Sequence, residues 1–165
     1  MPPSPTSRTS RCVADSEVVM TEIVLPEDTN PRGTIFGGRV LALLDKCAAI
    51  AAMRHARSEA VTVSLDSVTF VNTVRVGEVL LLHGRLNAAF GSSMEIEVNV
   101  HSENPLNGER RLTTTAFVTM VGLGQDGRPR SVPALTTKTP EERQRQSDAR
   151  ERRAARLAGR RNRQA

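Results

Sequence analysis

The chain has no tryptophan, no tyrosine and only four phenylalanines in 165 residues. Bases of single-stranded nucleic acid are held largely by stacking on aromatic rings, so that function class loses most of its platform. Cysteine is almost as scarce. Cys12 lies in a Pro-, Ser- and Thr-rich stretch and Cys47 in a helical run, so no disulfide framework is expected and a reducing compartment fits. Long apolar runs are missing too. The longest one is interrupted by Asp45 and Lys46, which argues against a membrane span. Residues 1–15 lack the apolar region of a secretory signal, and a cytoplasmic location is the expectation. His83 and His101 fall in strands without a Cys or His cluster, so no metal site is expected.

The formal charge of +5 is uneven. From Lys138 onward there are ten Lys or Arg against four acidic residues, a net of +6, which leaves −1 on the rest. A basic tail on a near-neutral domain argues against nucleic acid as the main partner, whatever the pI.

The remainder is organised around residues 28–57, where DTNPRGTIFGG runs into RVLALLDKCAAIAAMRHAR. A polar loop meets a glycine pair, and the pair opens a long apolar helix. Gly37 and Gly38 carry no side chain, so backbone and ligand can approach closely. The first N–H groups of a helix have no internal partner and stand at the positive end of its dipole. They suit an anion or a carbonyl oxygen gaining charge. Two turns on, Asp45 has Leu41, Ala42, Ala48 and Ala49 as helical neighbours. Burial among them would raise its pKa and its basicity.

In chain order, residues 1–15 read as a disordered tail, 16–135 as one domain and 136–165 as a basic helix and tail. Residues 16–25 form an expected strand, 26–34 a loop, 38–56 the helix and 60–70 a period-two strand. Strands follow at 78–88, 94–101 and 110–123, the second alternating Met94, Ile96, Val98 and Val100 with Glu95, Glu97, Asn99 and His101 as a half-exposed strand. Thr139, Pro140 and Glu142 match a capped helix start. The Arg-rich helix after them is expected to be solvated and to fray. A sheet wrapped around one helix gives an α+β domain, and its open edges favour a dimer with a continuous sheet.

The ordered set Asp28-Thr29-Asn30, Gly33, Phe36-Gly37-Gly38, Leu44-Asp45, Val61-Thr62, Asp66 with Phe70, Arg75-Val76-Gly77-Glu78 and Ser92-Ser93-Met94-Glu95 resembles the hotdog-fold acyl-CoA thioesterases. The nearest type is the bacterial YciA-like enzymes and the related cytosolic acyl-CoA hydrolases. The resemblance covers residues 18–133. It implies a hotdog domain, a homodimer with active sites between subunits, usually gathered into a trimer of dimers, and an acyl-CoA substrate of which CoA is part, with no separate cofactor.

On that reading Asp45 is the general base or a carboxylate nucleophile, and backbone N–H groups at Gly37 and Gly38 form the oxyanion site. Asn30, by resemblance, comes from the partner subunit to orient water or thioester. Thr62 is a further candidate for the same pocket. Ser92 and Ser93 are candidates for pantetheine or phosphate, and Arg54, Arg57 and Arg75 for CoA phosphates. Plainer roles stand beside these. Asp45 can serve an ion pair, Asn30, Ser92 and Ser93 can serve turns, the glycine pair can serve packing, and His55 can cap the helix end. Lys46 departs from the acidic or small residue the family often has there, and would weaken Asp45 as a base if it faced it. The alternative function is a hotdog module that binds acyl-CoA without turnover.

Overall fold

The computed structural model describes residues 9–66 and 68–164. In order these form β1 (Ser10–Cys12), β2 (Val18–Ile23), α1 (Gly37–Ala56), β3 (Ala60–Leu65), β4 (Val79–Phe90), β5 (Ser93–Glu103), β6 (Arg110–Gly122), β7 (Ala134–Thr136) and α2 (Pro140–Gln164). Single 3-10 turns lie at Val13–Asp15 and Pro26–Asp28. Five strands make one antiparallel sheet in the order β2-β4-β5-β6-β3. The period-two residues Met94, Ile96, Val98 and Val100 all point to its buried face. They meet Val40, Leu43, Leu44, Cys47, Ala48, Ala51 and Ala52 of α1, which the sheet wraps. This is the hotdog arrangement. No helix among the described residues is long and apolar enough to cross a membrane.

Helix and sheet pack tightly where Cys47 faces Gly84 of β4. A Cβ on Gly84 would stand 2.8 Å from Cys47 Sγ, well inside contact distance. Burial also pushes the Cys47 thiol up to about 11. Gly84→Ala should therefore cost about 1–3 kcal/mol by overpacking. Adding Cys47→Ala should restore much of that loss. Denaturant unfolding of the two single variants and the double variant tests this; strictly additive losses would contradict the contact.

Five expectations are corrected. Ser10–Asp15 are ordered, because β1 pairs in parallel with β7 (Ser10 with Ala134, Cys12 with Thr136); residues 1–8 lie outside the described residues. β3 ends at Leu65 rather than at residue 70. Its ladder with β6 stops at Val118, and the chain then turns over the start of α1, with Val71 N–H donating to Thr113 O.

On the outer face of β5 Glu95 and Glu97 are buried while Asn99 and His101 stay partly exposed, so that strand is half-exposed only in its second half, and α2 is not free in solvent. Ala149 is fully buried, and Arg152 and Arg156 reach the sheet. Arg152 bonds the buried Glu95 at 2.7 Å and lies 3.8 Å over the Phe117 ring, while Arg156 bonds Asp66 at 2.6 Å. Arginine stems and guanidinium faces can cover a ring while the charge meets a carboxylate. Beside them Glu97 is held by Arg85, Asn87 and Asn99. Burial alone would raise its carboxyl, but these bonds outweigh burial and keep it below the usual range. The helix start is as expected: Thr139 Oγ1 accepts from Glu142 N–H, and Glu142 Oε2 accepts from Thr139 N–H.

The fifth correction is His55. It does not cap α1 as an exposed cation. Its ring is fully buried with Nε2 2.9 Å from Pro133 O, and burial lowers its pKa, which favours a neutral imidazole donating that bond.

Candidate active site at the start of helix α1

Residues 29–35 fold back on themselves. Asn30 N–H donates to Thr34 O, Gly33 N–H donates to Asn30 O, and Gly33 takes φ 72°, which favours glycine. Two strands of backbone contact tie this loop to residues 74–76: Ile35 N–H donates to Val74 O, and Thr34 bridges Arg75. Arg39 braces the entry to α1 by pairing with Asp28 at 2.8 Å and Glu22 at 3.1 Å. The loop is thus held rigidly against the helix it precedes.

At that helix start no side chain caps the backbone. Arg39 and Val40 N–H both return to Phe36 O, and among the described residues nothing accepts from Gly37 or Gly38 N–H. The two glycines differ in surroundings. A Cβ on Gly37 would press on the Phe70 ring at 3.3 Å, whereas a Cβ on Gly38 would meet nothing within 4 Å. Close packing therefore accounts for Gly37, whereas packing does not account for Gly38, which leaves open space beside the two free N–H donors.

Asp45 and Thr62 are brought together. Thr62 Oγ1 donates to Asp45 Oδ1 at 2.5 Å, so β3 positions a carboxylate that α1 presents. Asp45 is half-buried in the single chain rather than buried, because β3 is an edge strand with Val61, Val63 and Leu65 exposed beside it. Lys46 is exposed, and no ion pair joins it to Asp45 among the described residues.

Asn30 has the turn role in full. Its Oδ1 accepts from Arg32 and Thr34 N–H, and its Nδ2 donates to Thr34 Oγ1, which leaves one amide hydrogen unassigned.

The remaining candidates divide between the two ends of α1. Arg75 is exposed beside the Asn30 loop. Arg54 and Arg57 stand at the other end, roughly 24–28 Å along the helix from Gly38. There Arg54 donates to Glu17 O, and Arg57 closes the helix in the left-handed conformation. Ser92 and Ser93 are in the β4–β5 turn at that same end, with Gly122 N–H on Ser92 O and Ser93 Oγ on Phe90 O. One protomer does not gather these four around the glycine pair. Among the described residues no group of His, Cys, Asp and Glu could hold a metal ion.

A cleft of about 280 Å³ opens beside Gly37, with Ile35, Val40, Phe70, Val71 and Val74 as its apolar walls. Sequence reasoning placed Phe70 inside a strand and did not single out this cleft. The usable signal was the loss of alternation after Leu65.

The model of the thioesterase superfamily matches residues 32–109. The uncharacterized acyl-CoA thioester hydrolase YkhA of Bacillus subtilis is 40% identical over 133 residues, 81% of this chain and 77% of that protein. A hexameric acyl-CoA thioesterase solved in the apo form is 45% identical, with a TM-score of 0.88 over 91% of this chain and 96% of that one. An acyl-CoA hydrolase from Staphylococcus aureus, in complex with butyryl coenzyme A, coenzyme A and coenzyme A disulfide, is 32% identical, with a TM-score of 0.87 over 94% of each chain. Further structures of that hydrolase carry an aspartate, an asparagine or a threonine replaced by alanine. With its hotdog fold and this similarity along most of its length, the chain belongs to the acyl-CoA thioester hydrolases of the thioesterase superfamily.

Proposed function

We propose that the chain hydrolyses acyl-CoA to a carboxylic acid and CoA at sites shared by two protomers. One observation carries the reading. Asp45 lies eight residues after Gly37 on one helix, about 12 Å along its axis. A base and an oxyanion donor must both stand within about 3 Å of one reacting group or its water. A single α1 cannot bring them that close, and Asp45 with Thr62 faces the free sheet edge at β3. Two copies joined along β3 set Asp45 of one protomer against the glycine pair of its partner.

The chemistry then follows. Thr62 occupies Asp45 Oδ1 and leaves Oδ2 to take a proton from water. The hydroxide attacks the thioester carbonyl, and the negative oxygen rests on Gly37 and Gly38 N–H. The C–S bond breaks, and the proton passes from Asp45 to the leaving thiolate. Asn30 uses its remaining amide hydrogen to orient water or thioester. In the S. aureus hydrolase the three residues chosen for replacement have the same types and the same separations along the chain as Asn30, Asp45 and Thr62, which supports these roles. Arg75 is the protomer's own candidate for a CoA phosphate, since Arg54 and Arg57 lie at the far end of α1 from the glycine pair. The hexamer of the relative favours a trimer of such dimers.

The test is thiol release from a panel of acyl-CoAs by wild type beside Gly38→Val. The valine fills space that is open in the protomer and should cost little as a helix residue. Wild-type turnover that falls on the order of 10²–10³-fold in a folded Gly38→Val protein is the expected result, since it denies the carbonyl its donors. Wild type that binds acyl-CoA without turnover would establish the binding module instead.

A further inference from the structure

We infer that the cleft beside Gly37 receives the acyl chain and that Phe70 sets the length of chain it accepts. This rests on the hydrolase reading above. A thioester carbonyl carries two arms. One is hydrocarbon; the other is the sulfur with pantetheine, pyrophosphate and nucleotide. A space that touches Gly37 therefore serves one arm or the other.

Its lining decides between them. Ile35, Val40, Phe70, Val71 and Val74 supply apolar walls, and Val40 and Val74 are themselves buried, so the floor is dry. None of the lining residues is charged. At its rim the Thr34 hydroxyl accepts from Asn30 and Asn72 Nδ2 donates to Leu112 O at 2.7 Å, which leaves the Gly37 N–H and the buried Thr113 hydroxyl, without a partner among the described residues, as the polar groups still open in the lining. Phosphates and amides would find few partners here, whereas a hydrocarbon displaces water from apolar walls. The volume of about 280 Å³ lies just under the range for drug-sized ligands, which suits a short chain.

Phe70 is the wall that can set the limit. It is 44% exposed, it belongs to the irregular segment after β3, and its ring touches the space above Gly37. Truncating it lengthens the cleft without opening the core. Selectivity between hydrocarbon chains in such a pocket changes by about tenfold or more per methylene gained or lost.

The experiment measures kcat/KM for acetyl-, butyryl-, octanoyl- and palmitoyl-CoA in wild type, Phe70→Ala and Phe70→Trp, with thermal melts to confirm folding. Wild type should favour the short chains. Phe70→Ala should raise the palmitoyl-to-butyryl ratio about tenfold or more, and Phe70→Trp should move it the other way. Folded variants that keep the wild-type ratio, or change all four substrates alike, would overturn the assignment. Wild type inactive on all four would bring down the hydrolase reading, and this inference with it, a result distinct from an unchanged ratio.

Discussion

Asp45→Asn is expected to lower kcat for acyl-CoA hydrolysis on the order of 10²–10⁴-fold, the usual worth of a positioned general base. KM should change little, because the base acts on water in the transition state and does not hold the substrate. The substitution is nearly isosteric, and the Asn carbonyl can still accept the Thr62 bond seen at 2.5 Å in the wild type. Stability should therefore stay close to wild type, which a thermal melt checks. Thr62→Val keeps the carboxylate but removes what aims it, so its loss should be smaller, about tenfold. Residual turnover should survive in both, since the free N–H groups of Gly37 and Gly38 are untouched. Asp45→Asn within a few-fold of wild type would remove Asp45 from the mechanism and leave the fold assignment standing.

The second large effect is a recovery. Asp45→Asn and Gly38→Val should each be nearly inactive alone. When the two are co-expressed in equal amounts and protomers pair at random, about half the dimers are mixed. Each mixed dimer then has one site with both lesions and one site with neither. Activity should return to about one quarter of wild type. A site contained within one chain predicts no recovery at all, because every chain carries a lesion. The axial separation of Asp45 from the glycine pair makes the first outcome the expected one. It can be read from thiol release of the mixture beside each variant alone.

Local chemistry made much of this molecule legible. Period-two alternation located β5 and its buried face, the glycine pair marked the start of α1 to within one residue, and Thr139 with Glu142 marked the start of α2. Asp45 stood out as a carboxylate in an apolar run, and Thr62 came with the family resemblance; the structure places them on each other. Features that depend on distant partners were hidden. An Arg-rich helix reads as solvated until Phe117, Glu95 and Asp66 are found beneath it. His55 reads as a helix-end cation until Pro133 covers it. Phe70 reads as a strand residue because the lost alternation after Leu65 is only a slight local sign that the ladder with β6 ends there. Burial of Asp45 was expected from its helical neighbours, yet the edge position of β3 leaves it half-covered in one chain.

The parallel pair of β1 and β7 bears on the order of folding. Ser10 meets Ala134, so this contact closes a loop containing nearly the whole domain. Each doubling of loop length adds about 0.6 kcal/mol to closure, which puts this one about 2 kcal/mol above a loop of roughly ten residues. Three paired residues on each side return little against that cost. The hairpins β4–β5 and β5–β6 close far shorter loops and bury the core face. They can form early, whereas β1 must wait until the sheet and α1 have already brought residue 134 near it. The small parallel pair is then the seal on a finished domain: last to close during folding and first to open when the native state breathes.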